Sequence, residues 1–143
     1  MTEAGKTTYK KVMIIDDTEV DRYVAVRNIK KFGFAEEVIA KESAKAALQY
    51  LELCQDDPGS LPQLIFLDIR MPEMDGFDFL ARYEQLPDSV KKNCIIMMLS
   101  TSLNPNDHER AQNNPYVNQF LNKPLDKEKM AMLINTNGVT QLP

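Results

Sequence analysis

The sequence predicts an α/β domain built on a doubly wound parallel sheet with helices on both faces. Five short apolar runs recur along the 143 residues, and helical spacing fills the stretches between them. Strands that alternate with helices are joined by crossovers, and crossovers make parallel sheets. The runs at 12–15, 64–67 and 94–99 are apolar at every position, which marks strands buried on both faces. The length is that of one ordinary domain, and no repeat, low-complexity tract or linker divides it.

Residues 1–10 are polar and read as a frayed tail. Val12-Met13-Ile14-Ile15 is the first strand. Thr18 and Asp21, three apart, resemble a capping box, and Val20, Tyr23 and Val24 mark an apolar helical face that Ile29 and Phe32 continue. Gly33 is a helix stop. Residues 38–40 form a short second strand, and Ser43 caps a helix whose Ala44, Ala47, Leu48 and Leu51 fall on one face. Asp56-Asp57-Pro58-Gly59-Ser60 is a loop. The third strand is 64–67, and the helix after Gly76 carries Phe77, Leu80 and Ala81 on one side. Lys91-Lys92 reads as a solvated turn before the fourth strand, 94–99. Asn104-Pro105-Asn106-Asp107 reads as a turn into a helix near 109–112. Residues 116–121 are the least apolar run, a strand near a sheet edge. Met130, Leu133 and Ile134 mark a fifth and last helix, before a polar tail from about 136.

The chain is 43% hydrophobic and 27% charged, enough to bury a core. Its net charge of -4 and pI of about 5.0 argue against a nucleic-acid-binding surface. Cys54 and Cys94 are not a close pair and read as reduced thiols. No run is long enough to span a bilayer, and residues 1–11 lack a hydrophobic signal region, so the expectation is a soluble cytoplasmic protein without membrane insertion.

In an open parallel sheet, ligands sit beyond the carboxyl ends of the strands. Asp16 and Asp17 follow the first strand, Asp68 the third, Ser100 the fourth and Lys123 the fifth. Singly, each is ordinary; Asp17 and Thr18 could merely cap a helix. Together they make a chemical set. Three carboxylates suit a hard divalent ion, Mg²⁺ above all, and no histidine or cysteine is placed to favour zinc. A lysine and a hydroxyl suit the oxygens of a phosphoryl group, and a carboxylate can become an acyl phosphate.

From about Lys11 to Ile134 the chain resembles the receiver domains of two-component response regulators. The motifs are Ile15-Asp16-Asp17, the run from Leu67-Asp68-Ile69-Arg70 through Met71-Pro72-Glu73-Met74-Asp75-Gly76, Leu99-Ser100 and Lys123-Pro124-Leu125. The resemblance implies a flavodoxin-like five-stranded sheet of order 2-1-3-4-5 over residues 11–135. It implies Asp68 as phosphoacceptor, and Mg²⁺ held by Asp17, Asp68 and the backbone carbonyl of Arg70, with Asp16 acting through water. It implies Ser100 as the switch hydroxyl, Lys123 as a phosphate contact, a cis bond before Pro124, and Phe120 as the aromatic switch, with plain core packing as the rival reading of Phe120. It implies that Arg70 and Ser102 occupy positions that tune dephosphorylation. The implied donor is a sensor histidine kinase or a phosphotransfer protein.

A stand-alone receiver signals through protein contacts, onward phosphorelay or as a phosphate sink. The switch reshapes the face of the helix near 109–112, the fifth strand and the last helix, and a homodimer could use that face. Asn113-Asn114-Pro115-Tyr116 replaces the family's usual Gly-Ala turn. Such Asn-Pro-rich versions resemble a subgroup of stand-alone receivers, some working with phytochrome-type or other hybrid kinases. Three rivals compete. A Mg²⁺-dependent phosphatase of haloacid-dehalogenase type would have its second Asp two residues after the first, where this chain has Asp16-Asp17 adjacent and Arg70 after Asp68. A receiver-like module that is never phosphorylated would not need every motif position filled. A flavin mononucleotide protein would meet Asp16-Asp17 where a phosphate must bind. His108, the one histidine, reads as exposed and non-catalytic, against a histidine-phosphotransfer role.

Overall fold

In the computed structural model, which describes residues 9–136, the apolar runs are five parallel strands: β1 (Tyr9–Ile15), β2 (Ala35–Lys41), β3 (Leu64–Leu67), β4 (Ile95–Ser100) and β5 (Val117–Asn122). Their order is β2-β1-β3-β4-β5, so β5 is an edge strand, as its weaker hydrophobicity suggests. Side chains alternate between two cores. Met13, Ile15, Ile65, Leu67, Ile96 and Met98 face one layer of helices. Val12, Ile14, Leu64, Phe66, Met97 and Leu99 face the other. Because both faces are covered, these strands carry no polar alternation.

The helices are α1 (Glu19–Lys31), α2 (Ala44–Leu53), α3 (Gly76–Tyr83), α4 (Asp88–Lys91), α5 (Pro105–Asn113) and α6 (Lys127–Thr136). There are six among the described residues, not five. The extra one, α4, is a single turn started by Pro87, too short to show a period. Its Lys91 is no solvated turn residue: the ammonium donates to the Glu84 carbonyl at 2.9 Å and lies 5.8 Å from the Tyr116 ring centre. Tyr9 and Lys10, read as part of a frayed tail, open β1, and Tyr9 is buried against Phe34. The remaining tails, 1–8 and 137–143, lie outside the described residues.

Ser43 caps α2, accepting from the Ala46 N–H at 3.1 Å. Gly33 stops α1 at a φ of +64°. Its N–H donates to Lys30 and the next N–H, of Phe34, to Ile29, the paired bonds of a Schellman motif. The face of α1 is where the sequence reading erred. Val20 and Tyr23 are each 66% exposed, and Ala25 and Ile29 point inward. Thr18 makes no side-chain cap bond. The first turns of the inner face carry Asp21 and Arg22, whose charged ends reach other groups, so hydrophobic spacing picks the wrong side. On α3 the buried set is Phe77, Phe79, Leu80 and Tyr83; Ala81 is exposed.

Candidate functional site

Strand register assembles the site. Ile15 of β1 lies opposite Leu67 of β3, so Asp16 and Asp68 leave the sheet side by side. The ladder runs one residue further on each: the Asp16 N–H donates to Lys41 at 3.1 Å, the Asp68 N–H to Ile15 at 3.0 Å and the Lys123 N–H to Ser100 at 3.0 Å. Backbone bonds therefore hold the roots of all three side chains. Asp17, exposed beside them, completes a cluster in which one oxygen of each of Asp16, Asp17 and Asp68 lies within 4.8 Å of the others.

Burying carboxylates together is costly unless cations and donors compensate. The Lys123 ammonium is 2.6 Å from Asp16 and 3.4 Å from Asp68. Asp16 also accepts from the Thr18 N–H at 2.9 Å, and its carbonyl accepts from the Arg22 guanidinium at 2.9 Å. Asp68 accepts from the Ile69 N–H at 2.8 Å. Burial pulls Lys123 toward its neutral form, but bonds to Asp16 and Asp21 and the charge of Asp68 outweigh it and hold the ammonium protonated well above its usual range. Asp68 is the under-compensated member: burial and then the Asp16 charge push it up to about 6, against the lowering pull of Lys123 and Ile69. That deficit is an argument for a cation beside Asp68. The donors are all hard oxygens, so the set fits Mg²⁺ or Mn²⁺ and not a thiolate or imidazole metal.

Gly76 is needed where the backbone of α3 meets that of Asp68: a Cβ there would stand 2.5 Å from the Asp68 carbonyl oxygen and 3.0 Å from the Ile69 Cα. The loop between them carries Arg70 and closes on the Gly76 N–H to Ile69 bond at 2.8 Å. Asp75 and Asp78 form the capping box of α3.

Ser100 is buried (1% exposed) at the end of β4 and accepts from the Ser102 N–H at 3.1 Å. The Lys123–Pro124 bond is cis. Phe120 on β5 is half-buried and does two things: it packs against the α2–α3 core and stacks on His108 with ring centres 4.0 Å apart. His108 is accordingly not the exposed residue the sequence suggests; its Nε2 lies 3.0 Å from the Ser102 carbonyl. Two charged neighbours of the pocket are not evident from the sequence. Asp21, taken for a capping residue, bonds Lys123 at 2.8 Å. Asp107, read as part of a turn, is buried on α5 and bonds both Arg70 and Ser102. The signal that could have found Asp21 is the i, i+4 apolar pair Ala25 and Ile29, which turns Asp21 inward. The helix α5 starts at Pro105, with Asn104 accepting from the Asn106 N–H, four residues before the predicted 109–112 stretch. Cys54 and Cys94 are unbridged, and burial pushes the Cys94 thiol up to about 12. No helix among the described residues is long and apolar enough to cross a membrane.

A family model described as the response regulator receiver domain matches residues 12–135. The probable methanogenesis regulatory protein FilR2 of Methanothrix harundinacea (strain 6Ac) is 32% identical over 120 residues, covering 83% of this chain and 75% of that protein. Response regulator Rcp1 of Synechocystis sp. (strain ATCC 27184 / PCC 6803 / Kazusa) is 30% identical over 115 residues, covering 80% and 76%. A solved structure described as the Mn²⁺-bound form of response regulator Rcp1 superposes with a TM-score of 0.69 at 25% identity, covering 94% of this chain and 97% of that one. A two-component response regulator from Cytophaga hutchinsonii superposes with a TM-score of 0.84 at 27% identity, covering 94% and 99%. Of Arabidopsis thaliana relatives described as histidine kinases, the chain spans 6% to 11% of the length.

Proposed function

The chain belongs to the response regulator receiver family, and on that premise we propose that Asp68 takes a phosphoryl group from the phosphohistidine of a sensor histidine kinase or phosphotransfer protein. The observation that carries this reading is the under-compensated Asp68, held at the end of β3 between two further carboxylates and the Lys123 ammonium. A carboxylate oxygen of Asp68 attacks phosphorus. The bond from phosphorus to the histidine nitrogen breaks, its electron pair returns to the imidazole, and an acyl phosphate remains. Mg²⁺, when bound, neutralises charge on the phosphoryl oxygens. Its holders would be Asp17, Asp68 and the backbone carbonyl of Arg70, with Asp16 through water. Lys123 contacts a phosphoryl oxygen as a mobile point charge.

The added charge draws in Ser100, and Phe120 follows, shifting an existing equilibrium between two arrangements of α5, β5 and α6. Output is then contact with a protein that prefers one arrangement. Phe120 is half-buried on β5, between the core and the His108 ring. Arg70 and Ser102, beside the pocket, set the lifetime of the phosphoryl group.

Incubation with acetyl phosphate and Mg²⁺ tests the reading. The expected product carries one phosphoryl group, is acid-stable and hydroxylamine-labile, and is absent from Asp68→Asn. No adduct, or one that survives in Asp68→Asn, overturns it.

A further inference from the structure

Beside the acidic pocket lies a second polar cluster, joined to it at two points. Asp107, on the first turn of α5, is 4% exposed. Its Oδ2 accepts from the Arg70 guanidinium at 2.5 Å and from the Ser102 hydroxyl at 2.6 Å. Arg70 comes from the β3–α3 loop, two residues after Asp68. Ser102 comes from the loop after β4 and donates its own N–H to Ser100. The Ser102 hydroxyl also accepts from the Asn104 N–H at 3.2 Å, which fixes the loop's course into α5. A carboxylate this buried requires a charged partner, and it has recruited the guanidinium of a side chain otherwise 62% exposed.

Taking Asp68 as the phosphoacceptor, we propose that Asp107 is a positioning residue: it clamps Arg70 and the 101–104 loop together and so slows phosphoryl transfer to Asp68. Arg70 fixes the Asp107 carboxylate, and the same oxygen holds Ser102, so Ser100 cannot travel toward Asp68 without loosening the Ser102 contact to Asp107. Charge-assisted bonds of this kind are stronger than neutral ones, and bonds sharing one acceptor oxygen are lost or kept together.

The test is the initial rate at which acetyl phosphate, with saturating Mg²⁺, labels Asp68 in the full chain. In that step the Asp68 carboxylate forms a bond to phosphorus and acetate leaves with the electron pair. Asp107→Asn is expected to raise the rate by about tenfold, the lower end of the scale of one charge-assisted hydrogen bond. In an Arg70→Ala background the same substitution is expected to change it by less than about twofold. Arg70→Ala alone is expected to be faster than the parent chain, and Arg70→Lys, which keeps a cation within reach of Asp107, to return toward the parent rate. A purely structural role for Asp107 would move the thermal midpoint without this dependence on Arg70. If Asp107→Asn does not fold, the Arg70→Ala and Arg70→Lys pair decides: equal rates overturn the clamp. So does an equal effect of Asp107→Asn in both Arg70 backgrounds, which would leave Ser102 as its only route. Absence of labelling in the parent chain overturns the phosphoacceptor reading and the clamp with it, whereas labelling indifferent to Arg70 overturns the clamp alone.

Discussion

On the β1–β3–β5 side of the pocket the strand ladder itself places the functional groups, and on the β4–α5 side hydrogen bonds from side chains help to place them. Asp16, Asp68 and Lys123 each extend a parallel ladder by one backbone bond. Ser102, Asp107, His108 and Phe120 are linked by a hydroxyl, a carboxylate, a ring nitrogen and a ring stack. A ladder bond cannot be exchanged without unpairing a strand. A side-chain bond can be traded for another at little net cost. Under the proposed function, the groups that must stay aligned for phosphoryl transfer rest on the rigid side, and those proposed to report it rest on the exchangeable side.

The largest expected effect breaks the rigid side electrostatically. Lys123→Met removes the ammonium that faces Asp16, Asp21 and Asp68 and leaves buried like charges uncompensated. The expected loss of stability is about 3 kcal/mol at pH 7 in chelator, read by urea unfolding, with Mg²⁺ restoring part of it. A loss under about 1 kcal/mol would show that water, not Lys123, compensates these carboxylates. Gly76→Ala attacks the same side sterically. Its Cβ would meet the Asp68 backbone at 2.5 Å, which no rotamer can relieve. The expected cost is about 2 kcal/mol, with slower labelling of Asp68 because its carbonyl and α3 must part. Unchanged labelling would mean that the loop tolerates the shift and that the ladder alone aligns Asp68.

A smaller effect sharpens the account of Asp68. Its folded pKa of about 6 lies above its ordinary 3.8, so the folded metal-free state holds this proton more tightly than the unfolded one. The group's penalty is absent below about pH 4 and complete above about pH 6, and stability falls across that window by on the order of 3 kcal/mol. Asp68→Asn removes the penalty. The variant is expected to be more stable than the parent chain at pH 7 without metal, with the difference closing toward pH 4. Mg²⁺ is expected to stabilise the parent more than the variant. A difference that stays constant from pH 4 to pH 7 would show that Asp68 titrates normally.

The same division explains what could be read from the sequence. Ladder-placed groups follow directly from runs such as Leu64-Ile65-Phe66-Leu67, because a strand's end fixes its next residue; Asp16, Asp68, Ser100 and Lys123 were legible for that reason. So was the parallel character of the sheet, once the runs were apolar at every position; its order 2-1-3-4-5 is what the family resemblance implies. Asp21 was hidden because the inner face of α1 begins polar, and the apolar Val20 and Tyr23 sit outside. Asp107 was hidden because Asn104 and Pro105 mark a helix start without any apolar period to show which side of its first turn faces inward; Pro105 and Asn106 are exposed and only Asp107 is buried. His108 was misplaced for the same reason: its partners, Ser102 and Phe120, lie on two other segments, and contacts of that kind leave no periodic trace.

The smallest expected effect is also the cleanest cut between the two sides. His108 touches the exchangeable side through its ring stack on Phe120 and its contact with the Ser102 carbonyl. His108→Ala removes both, at an expected cost of about 1 kcal/mol. It disturbs no ladder bond at Asp16, Asp68 or Lys123, so the Mg²⁺ dissociation constant is expected to stay within about twofold. Phe120, released from its partner, is expected to sample more ring orientations, seen as shifted and averaged aromatic resonances for that residue alone. Mg²⁺ affinity that moved with the Phe120 resonances would join the two sides into one cooperative unit. Affinity that held while the ring came loose would show that the site can keep its metal-binding geometry while its reporter moves, which a switch driven from Asp68 requires.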